Sequence, residues 1–133
     1  MSKARRTIAA AAVSVGILGA MTLAVSPASA ATTVSGTCFG YTGTFNEWGF
    51  TKVDWKYGPD ECFGVAPSGS IWHTWSGAGG WKEMPGNGTA VEIYGWDENS
   101  SQKTVYFLVE SHNLWCNTDN YATNVWSGWY FPC

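Results

Sequence analysis

Period-two alternation recurs along this chain. In TKVDWKY, residues 51–57, Val53, Trp55 and Tyr57 fall on one face and Lys52, Asp54 and Lys56 on the other, as in a half-buried strand. The stretches CFGVA (62–66), IWHTW (71–75), VEIYGW (91–96), TVYFLVE (104–110), NLWCN (113–117) and VWSGWYF (125–131) are likewise β-branched and aromatic. Turn-forming clusters separate them: GPDE, PSGS, SGAGG, PGNG, DENSSQK and TDNYATN. Short strands broken by turns about every ten residues predict an all-β domain. A further strand from Ser35 to Tyr41, carrying Cys38, is expected to cover an edge.

The first thirty residues have a different pattern. Lys3, Arg5 and Arg6 precede an apolar run from Ile8 to Val25, which ends in Pro27 and the small residues Ala28, Ser29 and Ala30. This reads as a secretory signal peptide over residues 1–30, leaving residues 31–133 as a single secreted domain with no membrane insertion after cleavage.

All four cysteines, Cys38, Cys62, Cys116 and Cys133, lie in the exported part, where an oxidising compartment lets disulfides persist. Four cysteines allow three pairings; Cys38 with Cys62 and Cys116 with Cys133 are favoured because each closes a short local loop. No C-x-x-C pair supports a zinc site. Without the leader, four lysines face ten acidic residues, a balance that argues against nucleic acid and against an anionic membrane surface.

Laying Trp72 on Trp115, an offset of 43 residues, also superposes Phe63 on Tyr106, Val65 on Leu108 and Ile71 on Leu114. The match predicts two units of four antiparallel strands, roughly residues 51–86 and 89–132, at propeller-blade spacing. FGVAPSGSIWHTWSGAGGWKEMPG (63–86) resembles one blade of the tryptophan-rich bacterial propeller lectins, a tectonin-like repeat, at Gly69, Ile71, Trp72, His73, Trp75, Gly79, Gly80 and Trp81. The second unit is similar at Leu114, Trp115, Trp126, Ser127, Gly128 and Trp129. It departs at Cys116 and Thr118, where the family has histidine and tryptophan, and Ser76 replaces a usual glutamine. The resemblance implies sugar pockets between neighbouring blades, lined by such Trp and His positions. Two blades do not close a propeller, so the expected architecture is a small disulfide-linked, sandwich-like pair of four-stranded sheets, or a propeller fragment completed as a homo-oligomer.

Catalytic chemistry has little to build on. His73 and His112 are the only histidines, there is no G-x-S-x-G, and the cysteines are expected to be oxidised. Two of the ten carboxylates could meet across a cleft as in a glycosidase, but in so small a domain most fall on turns and outer faces. Neither histidine has metal-ligand spacing, and DENSS (97–101) lacks the spacing of a calcium loop. The expectation is a non-enzyme without cofactor or metal.

What remains is nine tryptophans. Flat indole faces stack on the C–H faces of sugars while neighbouring polar groups take the hydroxyls. Along residues 71–75, Ile71, His73 and Trp75 share one face, and Trp72 and Thr74 the other. With Trp72 packed inward against Trp115, His73 and Trp75 face outward, and Trp81 joins them across the SGAGG loop. The predicted function is glycan or polysaccharide binding, with Trp75, Trp81 and Trp48 stacking and His73 and Glu83 hydrogen-bonding. The alternative is a secreted proteinaceous enzyme inhibitor that presents GPDEC (58–62) as a braced loop.

Overall fold

Three antiparallel sheets stack in a computed structural model that describes residues 29–133; the leader expected at residues 1–30 lies outside these, apart from its last two residues. Ten strands follow one another: β1 (Thr33–Cys38), β2 (Tyr41–Asn46), β3 (Phe50–Val53), β4 (Glu61–Val65), β5 (Ile71–Trp75), β6 (Lys82–Glu83), β7 (Glu92–Glu98), β8 (Gln102–Leu108), β9 (Leu114–Asn120) and β10 (Val125–Trp126). β1 and β2 form a hairpin, β3 to β6 one four-stranded meander and β7 to β10 another. The described residues contain no helix, and the domain is all-β.

Register decides which side chains meet. Glu61, Phe63 and Val65 of β4 lie opposite Trp75, His73 and Ile71 of β5. Lys103, Val105 and Phe107 of β8 lie opposite Asp119, Asn117 and Trp115 of β9. These two inner faces pack on each other around a core of Val53, Trp55, Phe63, Val65, Ile71, Met84, Ala90, Val105 and Phe107. The sandwich expectation therefore holds.

The offset of 43 residues does not describe how the sheets correspond. Matching inner face to inner face places Phe63 on Val105 and His73 on Asn117, one residue away from that alignment on each strand and in opposite directions. The β4–β5 and β8–β9 connections are equal in length, residues 66–70 and 109–113, so the offset keeps the pairing within each hairpin but sets inward Phe63 on Tyr106, which stands on the opposite face from Val105 and Phe107. Because a strand's side chains alternate, an error of one residue exchanges faces. Trp72 accordingly lies on the outer face of its sheet and is not core. Trp115 lies on the inner face of its own, stacked on Phe131 at 5.6 Å.

The outer face of β3–β6 is covered too. The β1–β2 hairpin lies over it with Phe45 buried against Gly64, where a β-carbon would come within 2.5 Å of the ring. Trp81 meets Phe45 at 4.7 Å between ring centroids and donates its indole N–H to the Tyr41 carbonyl at 3.0 Å. The Cys38–Cys62 disulfide staples hairpin to sheet, and Cys116–Cys133 ties the C-terminus to β9. In place of one strand at an edge, then, two strands cover a face. The chain reverses at Phe39 and Gly40, which both adopt positive φ (52° and 86°), the geometry of a two-residue hairpin turn. Two intrachain disulfides are consistent with an extracellular or oxidising environment.

Candidate functional site

The inner faces of both sheets begin with charge. On β4 the series Val65, Phe63 continues to Glu61, and on β8 the series Phe107, Val105 continues to Lys103. Packing the sheets brings these ends together with His73 and Asp119. All four are buried: Glu61 is 3 % exposed, His73 5 %, Lys103 5 % and Asp119 2 %.

Glu61 is the hub. Its Oε1 lies 2.7 Å from His73 Nδ1, and its Oε2 accepts from Lys103 Nζ at 2.6 Å and from the Trp55 indole at 3.3 Å. A carboxylate only accepts, so the proton lies on His73 Nδ1, and in the neutral ring Nε2 carries the lone pair. Burial pushes the Glu61 carboxyl up, but the His73 hydrogen bond and the charge and hydrogen bond of Lys103 outweigh it and hold the group below the ordinary glutamate range.

Lys103 is caged as well as paired. Its ammonium lies 5.2 Å from the Trp126 ring centroid, 5.5 Å from Trp55 and 5.9 Å from Tyr121, within cation–π reach of each. Its contact with Asp119 Oδ2, at 3.5 Å, is longer than that with Glu61. Burial accordingly dominates at Asp119 and raises its carboxyl above the usual aspartate range, despite the lysine. Asp119 Oδ1 is buried without any hydrogen-bond partner.

This network floors a cleft of about 410 Å³. Half-buried Trp75 and Trp126 line it, with Pro59 and Asn124. Lys82, opposite His73 in register, and Glu83, opposite Trp72, lie at its rim on the short edge strand β6. Trp126 meets His73 edge-on at 5.9 Å, and Trp75 tilts against the same ring at 5.0 Å. The arrangement offers aromatic faces above fixed polar atoms. Both Glu61 oxygens are engaged within the protein, whereas Asp119 Oδ1, buried at the cleft floor, has no partner.

The structure brings together three of the five residues expected to bind. His73, Trp75 and Glu83 line the cleft, but His73 does not face outward with Trp75: both point between the sheets, because the hairpin covers the other face of β5. Trp81 lies under that hairpin and Trp48, 57 % exposed, at the β2–β3 turn beside Glu92; neither reaches the cleft. Glu61, Lys103, Asp119 and Trp126 were not expected among the binding residues; Glu61, Lys103 and Asp119 each stand on an alternating series that leads from the core, whereas Trp126 lies on the two-residue β10.

The GPDE loop forms a wall of this cleft. Pro59 lines it and Glu61 enters it. Glu98 braces the loop by accepting the backbone N–H groups of Lys56 at 2.5 Å and Tyr57 at 3.2 Å and the Tyr121 hydroxyl at 2.8 Å. Among the described residues, no group of three or more His, Cys, Asp or Glu side chains converges as a metal site.

A second aromatic cleft, about 520 Å³, lies toward the other ends of β5 and β9, where Trp115 and Trp129 face the 86–89 turn. Trp129 packs so closely over Gly86 and Gly88 that a β-carbon at either would overlap its ring. No family model, curated protein or solved structure matches the chain.

Proposed function

We propose that this domain is a secreted carbohydrate-binding protein whose saccharide site is the cleft between Trp75 and Trp126. The observation that carries the reading is the pairing of two half-buried indoles with a polar floor held by hydrogen bonds within the protein. Stacking on a sugar ring needs flat apolar faces, and orientation needs a few fixed hydrogen-bonding groups. Trp75 and Trp126 offer the faces, and the buried network formed by Glu61, His73, Lys103 and Asp119 offers the groups. The tectonin-like lectin resemblance of the Trp72–Trp81 segment agrees with this use, with the site moved into the inter-sheet cleft. The hydrogen bonds and ring contacts that hold the floor are made before any ligand arrives, which lowers the ordering cost of binding.

A glycan array and polysaccharide pull-down with wild type and Trp75→Ala tests it. The expected result is retention of wild type on at least one glycan and loss of that retention in the variant, with the near-ultraviolet circular dichroism of both showing a folded core. A folded wild type that binds no glycan overturns the reading.

A further inference from the structure

We infer that the cleft selects uncharged saccharides against acidic ones, and that Asp119 is the residue that sets this preference. The inference rests on the carbohydrate reading above.

Asp119 is buried, lines the cleft, and uses Oδ2 on Lys103 while Oδ1 has no partner. A buried carboxylate oxygen without a donor is costly, so the position has an acceptor to fill. Lys103 does not turn to fill it, because Glu61 Oε2 holds the ammonium at 2.6 Å and three aromatic rings surround it. His73 adds a second acceptor, since Glu61 fixes the proton on Nδ1 and leaves Nε2 with the lone pair in the neutral ring. The unpartnered carboxylate oxygen of the floor is therefore an acceptor without a donor.

A sugar hydroxyl donates to such atoms. The carboxylate of a uronic acid only accepts, and would set a negative charge against Asp119 with no donor between them. At the rim Lys82 is balanced by Glu83, so the entrance supplies no compensating positive field.

Asp119→Asn reverses the pattern at one atom. The amide must turn its carbonyl oxygen toward the Lys103 ammonium, which leaves its NH₂ at the position of the unpartnered oxygen, so an acceptor becomes a donor. The substitution also removes a carboxylate that burial disfavours, and the variant is expected to fold.

The test measures binding of wild type and Asp119→Asn to a neutral glucan or mannan and to polygalacturonate, by calorimetry, in 0.15 M and 1 M NaCl. Wild type should prefer the neutral polymer by roughly tenfold or more, the scale on which a mismatched buried hydrogen bond discriminates. The preference should survive 1 M salt, where repulsion from the net acidic surface is screened away. Asp119→Asn should lose most of it. Equal or better binding of polygalacturonate by wild type, or a preference that disappears in 1 M salt, overturns the inference even if the variant fails to fold. An unchanged preference in a folded Asp119→Asn also overturns it, and leaves the carbohydrate reading standing if Trp75→Ala abolishes binding. A wild type that binds neither polymer nor any other glycan removes both.

Discussion

Lys103 Nζ and Glu61 Oε2 lie 2.6 Å apart, and this contact joins the inner face of one four-stranded sheet to that of the other. Both groups are almost wholly buried, so the pair is not a surface decoration. Removing one partner leaves the other's charge without compensation in a low-dielectric interior. Lys103→Met should cost about 3–5 kcal/mol in urea denaturation, the range for a broken buried pair. The exposed Lys52, which bridges Asp54 and Asp60, is the control, and Lys52→Ala should leave the urea midpoint nearly unchanged.

The same network gives stability a pH dependence of known sign. Glu61 is held below its ordinary value near 4.5, so the folded state binds its proton less tightly than the unfolded chain does. Its stabilisation is complete above that ordinary value and is lost as the pH falls through the lower folded-state one. Asp119 acts oppositely: its carboxyl is raised above 3.8 by burial, so its cost appears as the pH rises through the folded-state value. Urea midpoints measured from pH 7 down to pH 3 should therefore fall less steeply for Glu61→Gln than for wild type. Asp119→Asn should gain relative to wild type toward neutral pH, and equal slopes in all three proteins would contradict the assignment.

These four residues also show where alternation stops being informative. β5 was legible as a strand over residues 71–75, and its two faces were correctly separated. Which face was interior was not legible, because the sheet is covered on both sides, by the hairpin and by β7–β10. The hairpin was read as one strand because its turn is Phe39–Gly40, without the Asn-Gly or Asp-Gly that marks such reversals. β6 and β10 have two residues each, too few to carry a period. Lys103 and Glu61 read as the ends of the DENSSQK and GPDE turns, because only the approach of the second sheet buries them. Their alignment with Val105 and Phe63 was the signal available.

Gly64 is one of the points at which hairpin and sheet come close. A β-carbon there would lie 2.5 Å from the Phe45 ring, which is itself fully buried between Gly43 and Gly64. Gly64→Ala should destabilise by about 1–3 kcal/mol through overpacking. Shortening the opposing side chain in Gly64→Ala/Phe45→Leu should recover part of that loss. Additive losses in the double variant, measured by the same denaturation, would show that the two positions do not share the strain.

The disulfide beside that contact closes a separation of 24 residues and fastens the hairpin to β4. Loop-closure entropy assigns it about 3–4 kcal/mol. Cys38→Ala/Cys62→Ala should lower stability on that scale, and limited proteolysis should begin between residues 33 and 46 while the two four-stranded sheets stay protected. First cleavage inside β4 or β8 would mean that the hairpin is not an independently yielding layer.

Three tryptophans that looked alike in sequence separate by environment, and their alanine variants should separate by phenotype. Trp75 lines the cleft, so Trp75→Ala should abolish glycan retention while changing the urea midpoint little. Trp81 contacts Phe45 and Phe50 and donates to the Tyr41 carbonyl, so Trp81→Ala should cost about 3–5 kcal/mol as the hairpin loses its support. Trp48 is 57 % exposed at the β2–β3 turn, so Trp48→Ala should alter neither stability nor retention. Retention lost in Trp48→Ala but kept in Trp75→Ala would move the saccharide site out of the inter-sheet cleft and onto the surface beside Glu92, because the two indoles occupy different clefts and no common ring face serves both.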